Sequence, residues 1–387
     1  MNRIGTLIFF LFFTSISFAQ DAHQIKVKIE NFEQKELYLG YFYGDKQYIK
    51  DTTQVGQDGY FTFSGKDTLP SGIYLIVLPP DNNYFQLLIN ENEQKFTIET
   101  ALPNLSENPK IKGSPDNQLL YDYLAFLAKK RPQSDELNKA FKELKDKGED
   151  TQKIVEQIEK LNVEVLDFQK ALVKKYPKSL TAAIIRANMP LDEPASFPGE
   201  VEQDQQIARW RWNLLHYFDN YNLQDDKLLR TPFLFPHINN YTDKMVIQHP
   251  DTIGLAIDRV LGAMSPKSEM FKFYLIHFLN KYAQSNIVGM DGVYVHLVDK
   301  YYAKGLAPWT EEEQLAKIMD NAEKLKPILI GKVAPNVLMQ LRDKEEVWLH
   351  DVKAPYTIIL VWDPDCGHCK NLCQMSKSSM MNLKIKE

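Results

Sequence analysis

Two cysteines separated by two residues, Cys366 and Cys369, have the type and spacing to do chemistry most directly. They follow Tyr356-Thr357-Ile358-Ile359-Leu360-Val361-Trp362, a continuous apolar, β-branched run expected to form a central strand buried on both faces. Asp363-Pro364-Asp365 then leads into Cys366-Gly367-His368-Cys369. On the first turn of a helix, this spacing brings the sulfurs close enough for a small disulfide ring. The first sulfur lies over unpaired backbone N–H groups at the positive helix end, which favours thiolate. Cys366 is then the nucleophile of disulfide exchange and Cys369 the resolving thiol. His368 either stabilises that thiolate, raising the oxidising tendency of the pair, or is a plain solvent-exposed helix residue.

Competing chemistries fit the same residues less well. A zinc site needs a second ligand pair, and the remaining cysteine is Cys373 alone. An iron–sulfur run through Cys366, Cys369 and Cys373 lacks a fourth thiolate. His216, His237, His249, His277 and His296 are scattered, with no two at metal-binding spacing on one helical face. No metal and no organic cofactor is therefore expected.

Three compositional zones must position this pair. From Ile25 to about Thr100 apolar residues alternate with a period of two, through Ile25-Val27-Ile29, Leu37–Tyr43, Tyr60–Phe63, Ile73–Leu78, Tyr84–Ile89 and Phe96–Ile98. Turn signals at Gly44-Asp45, Gln57–Gly59, Leu69–Gly72 and Pro79–Asn82 separate them, which predicts an antiparallel sandwich or barrel. Its tyrosines are expected to be cross-strand packing pairs rather than a ligand groove. From Pro115 to Pro327 the period becomes helical, as in Ile154, Ile158, Leu161, Val165, Phe168 and Leu172. Lys175-Tyr176-Pro177 and Met189-Pro190 act as breakers, and Asn188–Gln205 is expected to be a loop. Trp210 and Trp212 are assigned to core packing. A third zone opens at Gly331-Lys332-Val333-Ala334-Pro335, with short strands expected at Val337–Leu341 and Val347–Leu349.

The chain has 387 residues, 44% of them hydrophobic and 25% charged, and a net charge of −5. Several ordinary cores fit within that composition, and no basic field points to nucleic acid. Arg3, the apolar run Ile4–Phe13 and the small residues Ser17 and Ala19 describe a secretory signal cleaved after Ala19. The expected location is the periplasm or cell envelope, with no stable membrane span once the signal is removed.

The segment Ile358–Lys370 resembles the active-site strand and turn of TlpA-like thioredoxins, in the redoxin group, and Gly331–Pro335 is similar to their G-x-x-A-P opening. Gly289–His296 and Lys300–Gly305 resemble a helical domain of unknown function. The β-rich segment resembles another, the two being fused ahead of such a thioredoxin in exported bacterial proteins. The resemblance implies a multidomain chain: a signal peptide over 1–19, a β-rich domain over 20–110, an all-α domain over 111–327, and a truncated thioredoxin-like α/β domain over 328–387. It implies thiol:disulfide oxidoreductase activity through a redox-active Cys366–Cys369 disulfide, with Trp362, Pro364, Gly367 and His368 shaping the turn. Protein or small-molecule disulfides and thiols would be substrates, and a thiol protein the electron donor. A peroxidase would instead place a threonine or proline just before a single reactive cysteine. The alternative is a non-catalytic exported binding or scaffold protein with a vestigial redox stub.

A thioredoxin fold would continue beyond this helix, yet the sequence ends 18 residues after Cys369. Family members resembling it read Lys-x-Glu-Met-Pro from the second cysteine, whereas Gln374 stands where that proline belongs. Met380-Met381-Asn382 requires the bases ATG ATG AAY, and read one base earlier these spell Asp-Glu within a permitted family-like helix. A frameshift near Asn371 or Leu372 is therefore expected, with Cys373 an accident of the frame. The strand 356–362 would then be an uncovered apolar edge, and activity weak or absent.

Overall fold

The computed structural model describes residues 21–340, 343–355 and 357. The chain divides into two compact units, one ending at Glu323 and the other beginning at Lys324.

In the first unit, alternation becomes strands. β1 (His23–Glu30) buries every second residue, Ile25 and Val27 completely. β2 (Glu36–Tyr43), β3 (Lys46–Gln54), β4 (Phe61–Gly65), β5 (Gly72–Leu78), β6 (Asn83–Ile89), β7 (Lys95–Ala101) and β8 (Lys110–Lys112) follow. They form two four-stranded sheets, ordered β4-β1-β7-β8 and β3-β2-β5-β6. Their apolar faces share one core, in which Phe63 and Ile98 of the first sheet meet Leu39, Ile76 and Leu87 of the second. Among the described residues neither sheet closes into a barrel. One pair departs from the antiparallel expectation: β1 runs parallel to β7, Val27 opposite Ile98. A parallel pair needs a long crossover, and here the chain builds the whole second sheet and β4 before returning. Tyr41 lies opposite Tyr74 and Tyr48 in register, with ring centroids 5.9 and 5.7 Å apart. These tyrosines are cross-strand pairs.

The helical region begins with α1 (Pro115–Lys147), started by Ser114 and by Pro115 in the first turn, where the missing N–H costs nothing. α1 and α2 (Gln152–Lys175) form an antiparallel hairpin buried mainly at its base. Gly148, with φ of +70°, ends α1 as a left-handed cap. α3 (Leu180–Ala187) follows the breaker at Tyr176-Pro177. The expected loop reaches only to Val201, because α4 (Glu202–His216) starts there. No residue of α4 is fully buried, and Trp210 is 37% exposed, so the core assignment of Trp210 and Trp212 is corrected. Trp210 instead donates its indole N–H to the Met245 carbonyl, and Trp212 stacks on His216. After a 3₁₀ turn at Asp226–Arg230 come α5 (Leu234–Asn240), α6 (Pro250–Gly262), α7 (Glu269–Ala283), α8 (Asp291–Leu297) and α9 (Glu312–Leu325). α5 and α8 each run into a π-helical turn, Tyr241–Met245 and Val298–Tyr302.

In the second unit, β9 (Leu338–Gln340) pairs antiparallel with β10 (Glu346–Trp348), Val347 opposite Met339. His350 ties the preceding segment to this pair, its amide donating to Asn336 Oδ1 at 3.0 Å and its ring contacting the Ala334 carbonyl at 2.8 Å.

Candidate functional site

The expected redox residues, Trp362, Pro364, Cys366, Gly367, His368 and Cys369, lie outside the described residues, as do Cys373, most of the strand 356–362 and the signal segment 1–19. Among the described residues no helix is long and apolar enough to cross a membrane, and no three His, Cys, Asp or Glu gather as a metal site. Two of the scattered histidines are held by their neighbours. His237 is stacked between Tyr217 and Tyr221 at 4.2 and 4.1 Å, and burial holds its pKa below the usual histidine value. His216 faces Asp219 at 2.6 Å.

What the structure does bring together is a polar junction between the sheets and the helices. Ser114 accepts from the Asn117 amide at 3.3 Å and starts α1. Asn117 then behaves as a strand partner for β6, an edge strand: its Oδ1 accepts from the Leu88 amide and its Nδ2 donates to the Leu88 carbonyl, both at 2.7 Å. Tyr121, one turn on, donates its hydroxyl to the Gln86 carbonyl at 2.7 Å. The exposed ladder of β6 is thereby partly covered by α1. Asp116, 4% exposed, accepts from the Leu180 and Thr181 amides at 2.7 and 3.1 Å and from Asn90 Nδ2 at 2.6 Å. One carboxylate thus joins the end of β6, the start of α1 and the start of α3. Such a buried charge is tolerated because its lone pairs are met by N–H donors.

A second clasp is built on the 3₁₀ turn. Asp226 accepts from the Glu269 and Met270 amides, each at 3.1 Å, and so caps α7. Arg230, 7% exposed, donates from Nη2 to Glu269 Oε2 at 2.6 Å and lies over the Tyr43 ring at 5.6 Å. Burial, followed by the Glu269 charge and a hydrogen bond to it, pushes the Tyr43 hydroxyl up to about 12. Gly72 lets Arg230 approach, since a Cβ there would stand 2.4 Å from the Arg230 Cβ.

Between the two clasps lies a cleft of about 1060 Å³. Its walls come from the Thr68–Ser71 loop, the Asn90–Glu93 turn, the first turns of α1, the Tyr176–Ser179 link and Gln224–Arg230. Sequence reasoning marked the turn at Leu69–Gly72 but not the cleft. The legible signal was Ser114-Pro115-Asp116-Asn117, a helix start whose three polar side chains exceed what one cap requires.

Residues 23–120 match a family model described as domain of unknown function DUF4369, and residues 170–327 match one described as domain of unknown function DUF5106. No curated protein and no solved structure matches the chain. Both family matches end before Cys366, and the cleft takes walls from each of them.

Proposed function

We propose that this chain belongs to the lineage of exported, TlpA-like thiol:disulfide oxidoreductases of the periplasm or cell envelope, and is itself a weakly active member of it. The observation that carries the reading is Cys366-Gly367-His368-Cys369, set directly after the apolar run Ile358–Trp362. The Cys366 thiolate attacks a substrate disulfide, forming a mixed disulfide and releasing one substrate thiolate, which takes up a proton. The Cys369 thiolate, formed as its proton leaves, then attacks the Cys366 sulfur, releasing the second substrate thiolate and closing the Cys366–Cys369 disulfide. Two electrons pass from the dithiol to the substrate, and a donor thiol protein restores the dithiol by the same exchange in reverse. Trp362, Pro364, Gly367 and His368 shape the turn that presents Cys366. An insulin-reduction assay tests this: the full chain is expected to turn over weakly, and Cys366→Ser to bring that turnover down to the uncatalysed background. Equal rates in the two proteins would sink the reading.

A second reading, a non-catalytic exported binding protein, is favoured by a separate observation. The cleft draws its walls from both family-matching regions, an arrangement suited to holding a ligand. Ligand binding by a chain that shows no Cys366-dependent turnover would select this second reading.

A further inference from the structure

The most exposed apolar side chains of the first unit are not scattered. Among its described residues six large hydrophobics are exposed by 62% or more, and five of them, Leu215, Ile247, Leu255, Ile287 and Val288, belong to one face built on α6. Contacts place them there. α6 and α8 run side by side in the same direction, since a Cβ on Gly292 would meet Pro250 at 3.2 Å and one on Gly254 would meet His296 at 3.1 Å. Ile247, three residues before α6, and Ile287 and Val288, just before α8, therefore lie at the same end. At the other end Arg259 donates to the Leu214 and Leu215 carbonyls, which brings the last turn of α4 against α6. Leu255 stands midway, one turn from Arg259.

Charge is ordered along the same face. Asp251, Leu255 and Arg259, four residues apart, form the exposed stripe of α6, whereas Ile253, Ala256, Ile257 and Val260 are buried. The Asp251 amide donates to His249 Nδ1 at 3.3 Å, so that nitrogen carries no proton and leaves the Asp251 carboxylate unneutralised. Arg259 bonds to carbonyls and lies over the Tyr241 ring, neutral partners that leave its charge uncompensated among the described residues. Asp258, beside the stripe, is already balanced by Lys300 at 2.7 Å. The order along the face is thus apolar end, acid, leucine, base, apolar end. That order is self-complementary about a two-fold axis through Leu255. Turning a second copy end for end sets Asp251 opposite Arg259 twice, Leu255 on Leu255, and Ile247, Ile287 and Val288 over Leu215.

We propose that this face is the interface of a two-fold symmetric dimer of this chain, with the two α6 helices antiparallel. Five aliphatic side chains so exposed present on the order of 500 Å², as large as the patches that mark interaction sites. Two copies then bury about 1,000 Å² of apolar surface, enough for a specific but modest interface. A lipid surface or an unrelated protein would also cover apolar side chains. Neither calls for an acid and a base placed symmetrically about a central leucine. The inference stands apart from the redox reading, so failure of either leaves the other intact.

The test is sedimentation velocity of the full chain from about 1 to about 100 μM, where an interface of this size is expected to pass from monomer to dimer. Leu255→Arg sets like charges on the axis, and Asp251→Lys sets a lysine against Arg259 of the second copy. Each is expected to weaken the dimer at least about tenfold. Both replace exposed side chains, so the fold is kept. Ile49→Lys, on β3 and outside this face, should leave the dimer unchanged. A parent that stays monomeric at about 100 μM overturns the proposal, and its pelleting with phosphatidylglycerol vesicles would assign the face to lipid instead. Association that is unchanged in either variant, as a dimer or a larger species, also overturns it. So does a dimer that Ile49→Lys weakens equally.

Discussion

Asp116 and Thr181, 65 residues apart in sequence, are bonded twice: the Thr181 amide donates to Asp116 Oδ1 at 3.1 Å, and the Thr181 hydroxyl to the Asp116 carbonyl at 3.0 Å. Both residues are buried, so neither bond exchanges readily for water. The contact joins one family-matching region to the other, since Asp116 lies in the first match and Thr181 in the second. Replacing Asp116 with alanine strands the Leu180 and Thr181 amides and the Asn90 amide group together. The expected loss is about 3 kcal/mol, as for other buried networks broken on one side. Urea unfolding of Asp116→Ala against the parent measures it, and a change below about 0.5 kcal/mol would show that the junction is not held by this carboxylate.

The β-rich region was largely legible because its pattern is imposed by burial. Ile25, Val27 and Ile29 alternate in sequence because they alternate between core and surface in β1. β3 lacks that mark for the same reason: Lys46–Gln54 is an edge strand with no buried residue, so no apolar pattern shows it. Helical periodicity marks α2 and α7 well, whereas the default of core packing fails for Trp210 and Trp212 on the partly exposed α4, where the Met245 carbonyl and the His216 ring are their partners. Of the cleft, the sequence shows only one edge, the polar helix start Ser114–Asn117. Its walls are brought together by Asp116, Asp226 and Arg230, whose partners lie 26 to 65 residues away. Spacing along the chain carries no trace of such pairings.

Gly44 is fixed by two independent demands. Its φ of +60° lies in the left-handed region, and a Cβ there would stand 2.0 Å from Phe273 Cζ. Phe273 belongs to α7 and meets Tyr43 edge-on at 5.3 Å, so the β2–β3 turn is seated on the helical region. Gly44→Ala pays backbone strain and displaces the ring, an expected loss of about 3 kcal/mol. Thermal unfolding should register it as a clear drop in Tm. An unchanged Tm would mean that the turn lifts away from α7 without penalty.

Asp258 sits under three donors: His296 Nε2 at 3.0 Å, Lys300 Nζ at 2.7 Å and the Tyr301 hydroxyl at 2.8 Å. Burial alone would raise its pKa, but the hydrogen bonds from His296, Lys300 and Tyr301 outweigh it and hold the carboxyl at about 2. The folded value lies below the unfolded one, so this contribution is complete above about pH 4 and is lost as pH falls toward 2. Asp258→Asn keeps the shape and removes the charge, so its stability deficit of roughly 2 kcal/mol at neutral pH should shrink in that acid window. Parallel unfolding curves between pH 5 and pH 2.5 give the comparison. A deficit independent of pH would separate the role of Asp258 from its charge.

His277 predicts a pH dependence in a different window. Burial, then the nearby Lys281 charge, lowers its pKa from the usual value to about 4. Neutral His277 donates from Nε2 to Asn239 Oδ1 at 3.0 Å, and Lys281 donates to the same oxygen at 3.1 Å. A protonated imidazole would face that ammonium directly. Because the unfolded chain takes up this proton more readily, the contribution is complete above about pH 6.5 and is lost as pH falls toward 4, by roughly 3 kcal/mol in total. His237, held neutral by burial between two tyrosine rings, acts in the same sense. His277→Gln keeps an N–H donor and does not titrate, so its stability should fall less steeply than the parent's between pH 6.5 and 4.5. Identical slopes for the two proteins would assign the acid sensitivity of the helical region to other groups.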